Sequence, residues 1–335
     1  MNPSPLPLME IASGVYAFKA LALATDLGVF TELADGGGTD TAAFAVRHGI
    51  ARRPAELLLT ACTSLGLLRR DADGRYRNTE LSERFLVRGR PYYFGGWIAV
   101  VDRHEYPAYQ RLAGSLRGNH PVTWDVERQE SLFDPAVADL FWEGMHSLAA
   151  PTAAALADAF DLTGVRRLLD VGGGGAAFAV ELCRRLPGLA VTIFDLPFVC
   201  DLTRERVASA GLTDRIALAA GDFFADPLPA GHDALLLSNI LHDWGEADVA
   251  RILAACAAAL PSGGRLLICE AFVADDKTGP PLAALMSLNM LVETWGRNYT
   301  AAEYGAWLDG AGLRVEAFVP FDAPGANGVL VARKR

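Results

Sequence analysis

The second half of this chain carries acidic residues, a histidine and a run of glycines where strand ends are expected, so that they could hold a ligand and move a proton. Leu168-Leu169-Asp170-Val171-Gly172-Gly173-Gly174-Gly175 reads as a buried strand entering a glycine-rich turn, and the apolar spacing from Ala176 to Leu186 as the helix that follows. Glycines there let the backbone approach a ligand and present free amides at a helix start. Asp195 closes the next apolar run, Ala190 to Phe194, where βαβ nucleotide sites place a carboxylate for ribose hydroxyls. Asp222 and Phe223 follow a third run, Ile216 to Ala220; there an acid can accept from an adenine amine and a ring can lie against the base. A fourth run, Asp233 to Leu237, ends in Ser238-Asn239-Ile240-Leu241-His242-Asp243-Trp244.

A dinucleotide is the first cofactor to weigh. A NAD site needs G-x-G-x-x-G with the third glycine at the helix start, whereas this chain reads D-V-G-G-G-G-A-A. A carboxylate two residues before the glycines is awkward beside a pyrophosphate but suits a cationic cofactor without phosphate, such as S-adenosylmethionine. The plainer alternative is a tight turn that only packs helix against strand.

The elements that must position these residues alternate from about 161 onward. Strands are expected at 166–171, 190–195, 215–220, 233–238, 264–270, 313–319 and 328–333, with helices between most of them. That pattern implies an α/β domain, doubly wound on a mostly parallel, Rossmann-like sheet, with the last two strands as an antiparallel edge hairpin. Ligands bind outside the carboxyl ends of such strands, where Asp170, Asp195, Asp222, Ser238 and Glu270 would gather. The first hundred residues read differently. Met9 to Leu33 has helical apolar spacing, two further helices follow at Thr39–Gly49 and Arg53–Leu67, and a short hairpin turns at Asp73-Gly74. This is a winged-helix pattern. The expected division is 1–100, a helical connector at 101–160, and a catalytic domain at 161–335.

Composition narrows the partners. A net charge of −10 argues against nucleic acid, which rewards clustered positive charge. No apolar run is expected to reach the length of a membrane span, and Met1-Asn2-Pro3-Ser4-Pro5 lacks the basic start of an export signal. Cys62, Cys183, Cys200, Cys256 and Cys269 lie in mostly apolar contexts without a Cys-x-x-Cys pair, so neither a disulfide nor a zinc site is expected. A cytoplasmic location follows from these readings.

Taken in order, D-V-G-G-G, Asp195-Leu196-Pro197, Gly221-Asp222-Phe223-Phe224, Leu241-His242-Asp243-Trp244, Glu270 and Gly296-Arg297-Asn298-Tyr299-Thr300 resemble the small-molecule O-methyltransferases of the hydroxyindole and caffeate type, including their bacterial natural-product branch. The resemblance extends over nearly the whole chain. It implies a class I methyltransferase fold, S-adenosylmethionine as methyl donor with S-adenosylhomocysteine as product, and a planar aromatic acceptor from secondary metabolism, such as antibiotic biosynthesis. It also implies a homodimer joined through the N-terminal domain, with the apolar face from Val15 to Phe30 covered by the partner. Cofactor contacts are expected from Asp170, Gly172, Gly174, Asp195, Asp222, Phe223 and Ser238. Acceptor contacts are expected from Trp97, Trp142 and Met145 of an aromatic-rich stretch that also holds Trp124 and Phe133, and from Asp243, Met286, Asn289 and Met290.

His242 is the expected general base, since a phenol needs little beyond deprotonation and alignment before methyl transfer. Asp243 beside it could instead cap the helix opening at Gly245. The resemblance gives the base two carboxylate orienters. Glu270 matches the first, but Asn298 stands where the family has a second Glu, and an amide lends no negative charge. That departure keeps a sibling chemistry open, metal-dependent C-methylation of an α-keto acid, with His242 as a ligand. A further alternative is a member that binds the cofactor without methylating. No metal is assigned.

Overall fold

The computed structural model describes residues 4–123 and 135–335, without the side chains of 135–139. The chain divides into two compact units, Met1–Tyr106 and Pro107–Arg335.

In the first unit, helices α1 (Leu6–Asp26), α2 (Val29–Glu32), α3 (Thr41–Arg47) and α4 (Arg52–Ser64) precede the hairpin β1 (Leu68–Arg70) and β2 (Tyr76–Asn78), then α5 (Glu80–Phe85) and α6 (Gly95–Val100). The helix expected through Leu33 is broken at Gly28, whose φ of +75° ends α1 and restarts the chain as α2. The hairpin turns at Gly74, φ +78°. Phe30 does not belong to an uncovered face: it is buried in this unit's own core with Val29, Leu33, Phe44, Leu59 and Tyr76. The exposed apolar side chains on α1 lie mostly earlier, at Leu6, Leu8, Met9, Ile11 and Tyr16. By length and composition α1 is also long and apolar enough to cross a membrane, contrary to the sequence reading. Glu10 and Lys19 interrupt its apolar run but do not lower its mean hydropathy below that of a span.

A π-helical turn, Val101–Glu105, leads to α7 (Tyr106–Tyr109) and α8 (Leu112–Gly118). The long helix α9 (Pro135–Ala159) then precedes β3 (Arg167–Val171), α10 (Ala177–Arg185), β4 (Ala190–Asp195), α11 (Pro197–Ser209), β5 (Ile216–Ala220) and β6 (Ala234–Ser238). After α12 (Glu246–Ala259) come β7 (Arg265–Glu270), α13 (Pro281–Glu293), α14 (Ala301–Gly310), β8 (Leu313–Pro320) and β9 (Gly328–Lys334). The sheet order is β5-β4-β3-β6-β7-β9-β8, parallel as far as β7 and antiparallel through β9 and β8. All seven expected strands are present within a residue or so at each end. The hairpin does not simply extend the edge, because β9 sits between β7 and β8.

Alternate strand residues feed two cores. Leu168, Val191, Ile193, Leu236, Leu267 and Val331 pack with α9 and α10 on one face. Leu169, Val171, Leu235, Leu237, Leu266, Ile268 and Leu330 pack with α12 and α14 on the other. Central strands covered on both faces read as continuous aliphatic runs, and that is why they were legible in the sequence. Burying them at about 25 cal/mol per Å² of apolar surface makes this sheet the rigid platform for the loops at its carboxyl edge.

Candidate active site

Strands β3 and β6 are neighbours, yet the chain leaves β3 toward β4 and β5 and returns through β6 toward β7. This reversal opens a crevice at the strand ends, the place where such sheets bind ligands. Two loops meet there. After β3, Gly172 and Gly174 take φ of +71° and +50°, and Gly172 N–H donates to Phe194 C=O at 2.8 Å. The turn has no room for side chains. A Cβ on Gly172 would lie 2.5 Å from Ile240 Cδ1, one on Gly173 2.7 Å from the Asp170 carboxylate, and one on Gly174 2.8 Å from the Trp142 ring. Thus the loop after β6 presses on one side of the glycine turn and helix α9 on the other. Ala176 begins α10 at φ +65°, a conformation more usual for glycine.

Two carboxylates underlie this turn. Asp195 accepts Gly174 N–H on Oδ2 at 2.9 Å and Leu196 N–H on Oδ1 at 2.7 Å. Burial raises its pKa, and these two bonds oppose that rise. Each oxygen keeps a further lone pair. Asp170 is almost wholly buried and its Oδ2 has no hydrogen-bond partner among the described residues. Burial, reinforced by the charge of Asp195, pushes its carboxyl up to about 7. A buried acid pair of this kind favours a nearby positive charge. At the end of β5, Asp222 Oδ1 accepts Phe224 N–H at 2.8 Å, and Phe223 joins Phe224 and Trp244 in a T-shaped aromatic cluster. Ser238, the last residue of β6, pairs in register with Cys269 of β7, and its buried hydroxyl has no hydrogen-bond partner among the described residues.

His242 lies on a 3-10 turn, Leu241–Asp243, and is buried. Glu270, at the end of β7, organises that turn with both oxygens. Its Oε1 accepts the N–H groups of Ile240 and Leu241, each at 3.0 Å, and its Oε2 lies 2.8 Å from His242 Nδ1, out of line with the ring N–H. Burial lowers the imidazole pKa, but the charges of Glu270 and Asp243 outweigh it and leave it at about 9. With Nδ1 facing Glu270, Nε2 is the ring atom left for an acceptor. Asp243 Oδ1 is 3.6 Å from it. Burial lifts Asp243 to about 6, with Glu270 and Glu293 adding to the rise and His242 opposing it. Asp243 does not cap α12: the cap is Gly245, without a side-chain bond.

Asn298 is buried, and its hydrogen bonds run to α13, from Nδ2 to Ala283 C=O at 3.1 Å and from its N–H to Ser287 Oγ at 3.1 Å. No bond joins it to His242 among the described residues, so Glu270 alone is seen to hold the imidazole. The segment around Asn298 supports the turn through the residues flanking it instead. A Cβ on Gly296 would be 2.1 Å from His242 C=O, and Tyr299 Oη donates to Trp244 C=O at 2.6 Å. On α13, Asn289 and Met290 are buried, while Met286 packs against Ala271, Val273 and Ala283. Glu293 Oε2 accepts from Thr123 Oγ1 at 2.8 Å. Trp142 touches the glycine turn, Met145 is half-buried on the same helix, and Trp97 belongs to the first unit. Trp124 and Phe133 lie outside the described residues. Sequence reading passed over Asn239 and Ile240; Ile240 is the side chain that meets Gly172, and an ordinary aliphatic letter gave no signal of it.

A family model described as the O-methyltransferase domain matches residues 121–314, and one for the O-methyltransferase dimerisation domain matches 9–88. The chain belongs to the O-methyltransferase family. Among its relatives, a 3-hydroxy-5-methyl-1-naphthoate 3-O-methyltransferase of Streptomyces sahachiroi is 50% identical over 98% of this chain and 95% of its own length. The tetracenomycin polyketide synthesis 8-O-methyl transferase of Streptomyces glaucescens is 34% identical, covering 92% of this chain and 91% of its own length. The solved structure of human N-acetylserotonin methyltransferase with S-adenosylmethionine superposes with a TM-score of 0.88 at 30% identity, covering 100% of this chain and 98% of its own.

This O-methyltransferase is an S-adenosylmethionine-dependent enzyme, and its residues fit that cofactor. The glycine turn is a cradle that any Cβ would fill, and the unpartnered Asp170 oxygen and the spare lone pairs of Asp195 lie beneath it. No group of three His, Cys, Asp or Glu side chains among the described residues comes together as a metal-ligand set.

Proposed function

We propose that this methyltransferase methylates a hydroxyl of a small aromatic natural-product intermediate, with His242 as the general base. The observation that carries the reading is the His242–Glu270 pair at the switch-point crevice, in a chain half identical to a naphthoate O-methyltransferase. When bound, the cofactor supplies an electrophilic methyl carbon on a positively charged sulfur. The chain does the rest. Glu270 fixes the turn through two amides and directs Nδ1 toward itself, leaving Nε2 to take the phenolic proton. A base of pKa about 9 is well matched to a phenol near 10, because proton transfer then runs close to level. Burial of His242, Glu270 and Asn298 keeps water from competing for that proton. Asp170 and Asp195 hold the cofactor, Trp142 covers the glycine turn, and Met286, Asn289 and Met290 of α13 face the acceptor.

We also infer that two copies join through the N-terminal unit, whose exposed apolar side chains on α1 suit such a contact. Metal-assisted C-methylation has no gathered ligand set to support it among the described residues. The test is to incubate the enzyme with labelled S-adenosylmethionine and a panel of hydroxynaphthoates and other phenols, with and without chelator. The reading expects an O-methyl ether, unaffected by chelator. Methyl on carbon, or turnover abolished by chelator, would overturn it.

A further inference from the structure

Strand β6 changes direction within one residue, and that residue is Asn239. Ser238 is still extended, Leu241 already belongs to the 3-10 turn, and Asn239 between them stands at φ +53°. Its own N–H continues the sheet ladder to Cys269 C=O at 3.2 Å. The next two N–H groups, of Ile240 and Leu241, then both meet one oxygen of Glu270. Successive amides of an extended strand point to opposite sides and cannot share an acceptor. Ile240, at φ −117° and ψ −51°, sets these two N–H groups on one side, and left-handed Asn239 is what turns the pair from the ladder toward Glu270, whose other oxygen faces His242 Nδ1. Asparagine is among the few residues with a Cβ that adopt this conformation readily; a β-branched side chain resists it. The Asn239 side chain is buried against the β8–β9 connection, where a Cβ on Gly325 would lie 3.0 Å from Nδ2, and its Oδ1 has no partner among the described residues. The side chain therefore shows no bond to the catalytic turn. The backbone is the active feature.

We propose that Asn239 is a positioning residue for methyl transfer, acting through its left-handed backbone, which aims two amides and the His242 imidazole at the two oxygens of Glu270. The inference rests on the reading of His242 as base. It predicts a graded series, with activity lost least in Asn239→Gly, more in Asn239→Ala and most in Asn239→Val. Displacing a reacting group by about 1 Å costs on the order of 10²-fold, and that is the fall in kcat expected for the valine variant. KM and the cofactor Kd, measured by calorimetry, should stay within a few-fold.

The readout specific to the geometry is the His242 imidazole pKa, followed by NMR with His242→Gln to assign the resonance. The groups that set it are Glu270 on β7 and Asp243 on the turn, with Glu293 on α13 acting through Asp243. The imidazole pKa should fall in the same order, glycine least and valine most. If the valine variant unfolds, the glycine and alanine pair still decides. A glycine variant as impaired as alanine would mean the side chain acts, and unchanged kcat and imidazole pKa in both alanine and valine would mean the backbone does not matter; either overturns the proposal. The imidazole pKa reports the geometry whether or not His242 is the base, while turnover of His242→Gln reports the base alone, so the two failures are distinguishable.

Discussion

Removing the charge of Asp170 should make the free enzyme more stable and bind its cofactor less well. Unfolded, this carboxyl ionises near 3.8; folded, it is held at about 7 by burial and by Asp195. Because the folded value is the higher one, the native state binds the extra proton between those two values. Stability therefore falls as pH rises from about 4 to about 7, and the full penalty is present above that window. At about 1.4 kcal/mol per pH unit, the penalty at pH 8 is on the order of 4 kcal/mol. Asp170→Asn removes it but leaves a buried amide that needs partners, a cost of about 1–3 kcal/mol. The net expectation is a gain of roughly 1–3 kcal/mol at pH 8 that shrinks toward a loss at pH 4.5. Urea titrations of the cofactor-free protein at a series of pH values would measure it. Cofactor affinity should drop at least about tenfold, the loss of about 1.4 kcal/mol of charge pairing. A difference between variant and parent that does not change with pH would refute the reasoning, because only the displaced carboxyl makes it pH-dependent.

Two further outcomes follow from the catalytic turn. With His242 held at about 9, kcat/KM for a phenol should rise with pH and level off above that value; Glu270→Gln should move the limb to lower pH and reduce kcat, since the neutral amide no longer raises the imidazole. A pH profile of the two enzymes on one substrate checks both, and an unmoved limb would separate Glu270 from the base. Gly296→Ala forces a methyl group against His242 C=O and Trp244 N–H. Overpacking of this kind costs about 1–3 kcal/mol of stability, and kcat should fall further than cofactor affinity; thermal melts with calorimetry test this, and an alanine variant as active as its parent would show that the close approach is not needed.

Much of the catalytic unit was legible because its strands are buried on both faces and end in chemically marked residues. Leu168–Leu169 and Leu235–Leu237 announce central strands, and Asp170, Asp195 and Glu270 mark their carboxyl ends without help from tertiary context. What was not legible depends on contacts between distant segments. Nothing local in Leu27-Gly28-Val29 shows that the chain turns at Gly28 and folds Phe30 inward, since the apolar period runs on unbroken. The position of β9 between β7 and β8 is set by its register on β7, from Arg265 against Arg333 to Glu270 against Gly328, not by the hairpin that follows β8. Asn298 was expected to orient the imidazole; its Nδ2 bonds the Ala283 carbonyl of α13, and its Oδ1 has no partner among the described residues. Capping was one reading of Asp243, an acceptor contact the other; the turn sets it half-buried, 3.6 Å from His242 Nε2.

The central claim is that His242 moves the proton during O-methyl transfer, and substituting it tests that claim most directly. Single-turnover methylation of a phenolic acceptor by His242→Gln would be measured beside cofactor affinity by calorimetry. The rate should be lower by about 10²–10⁴-fold, the usual contribution of a positioned general base, with cofactor Kd changed no more than a few-fold. A rate within a few-fold of the parent enzyme would contradict it.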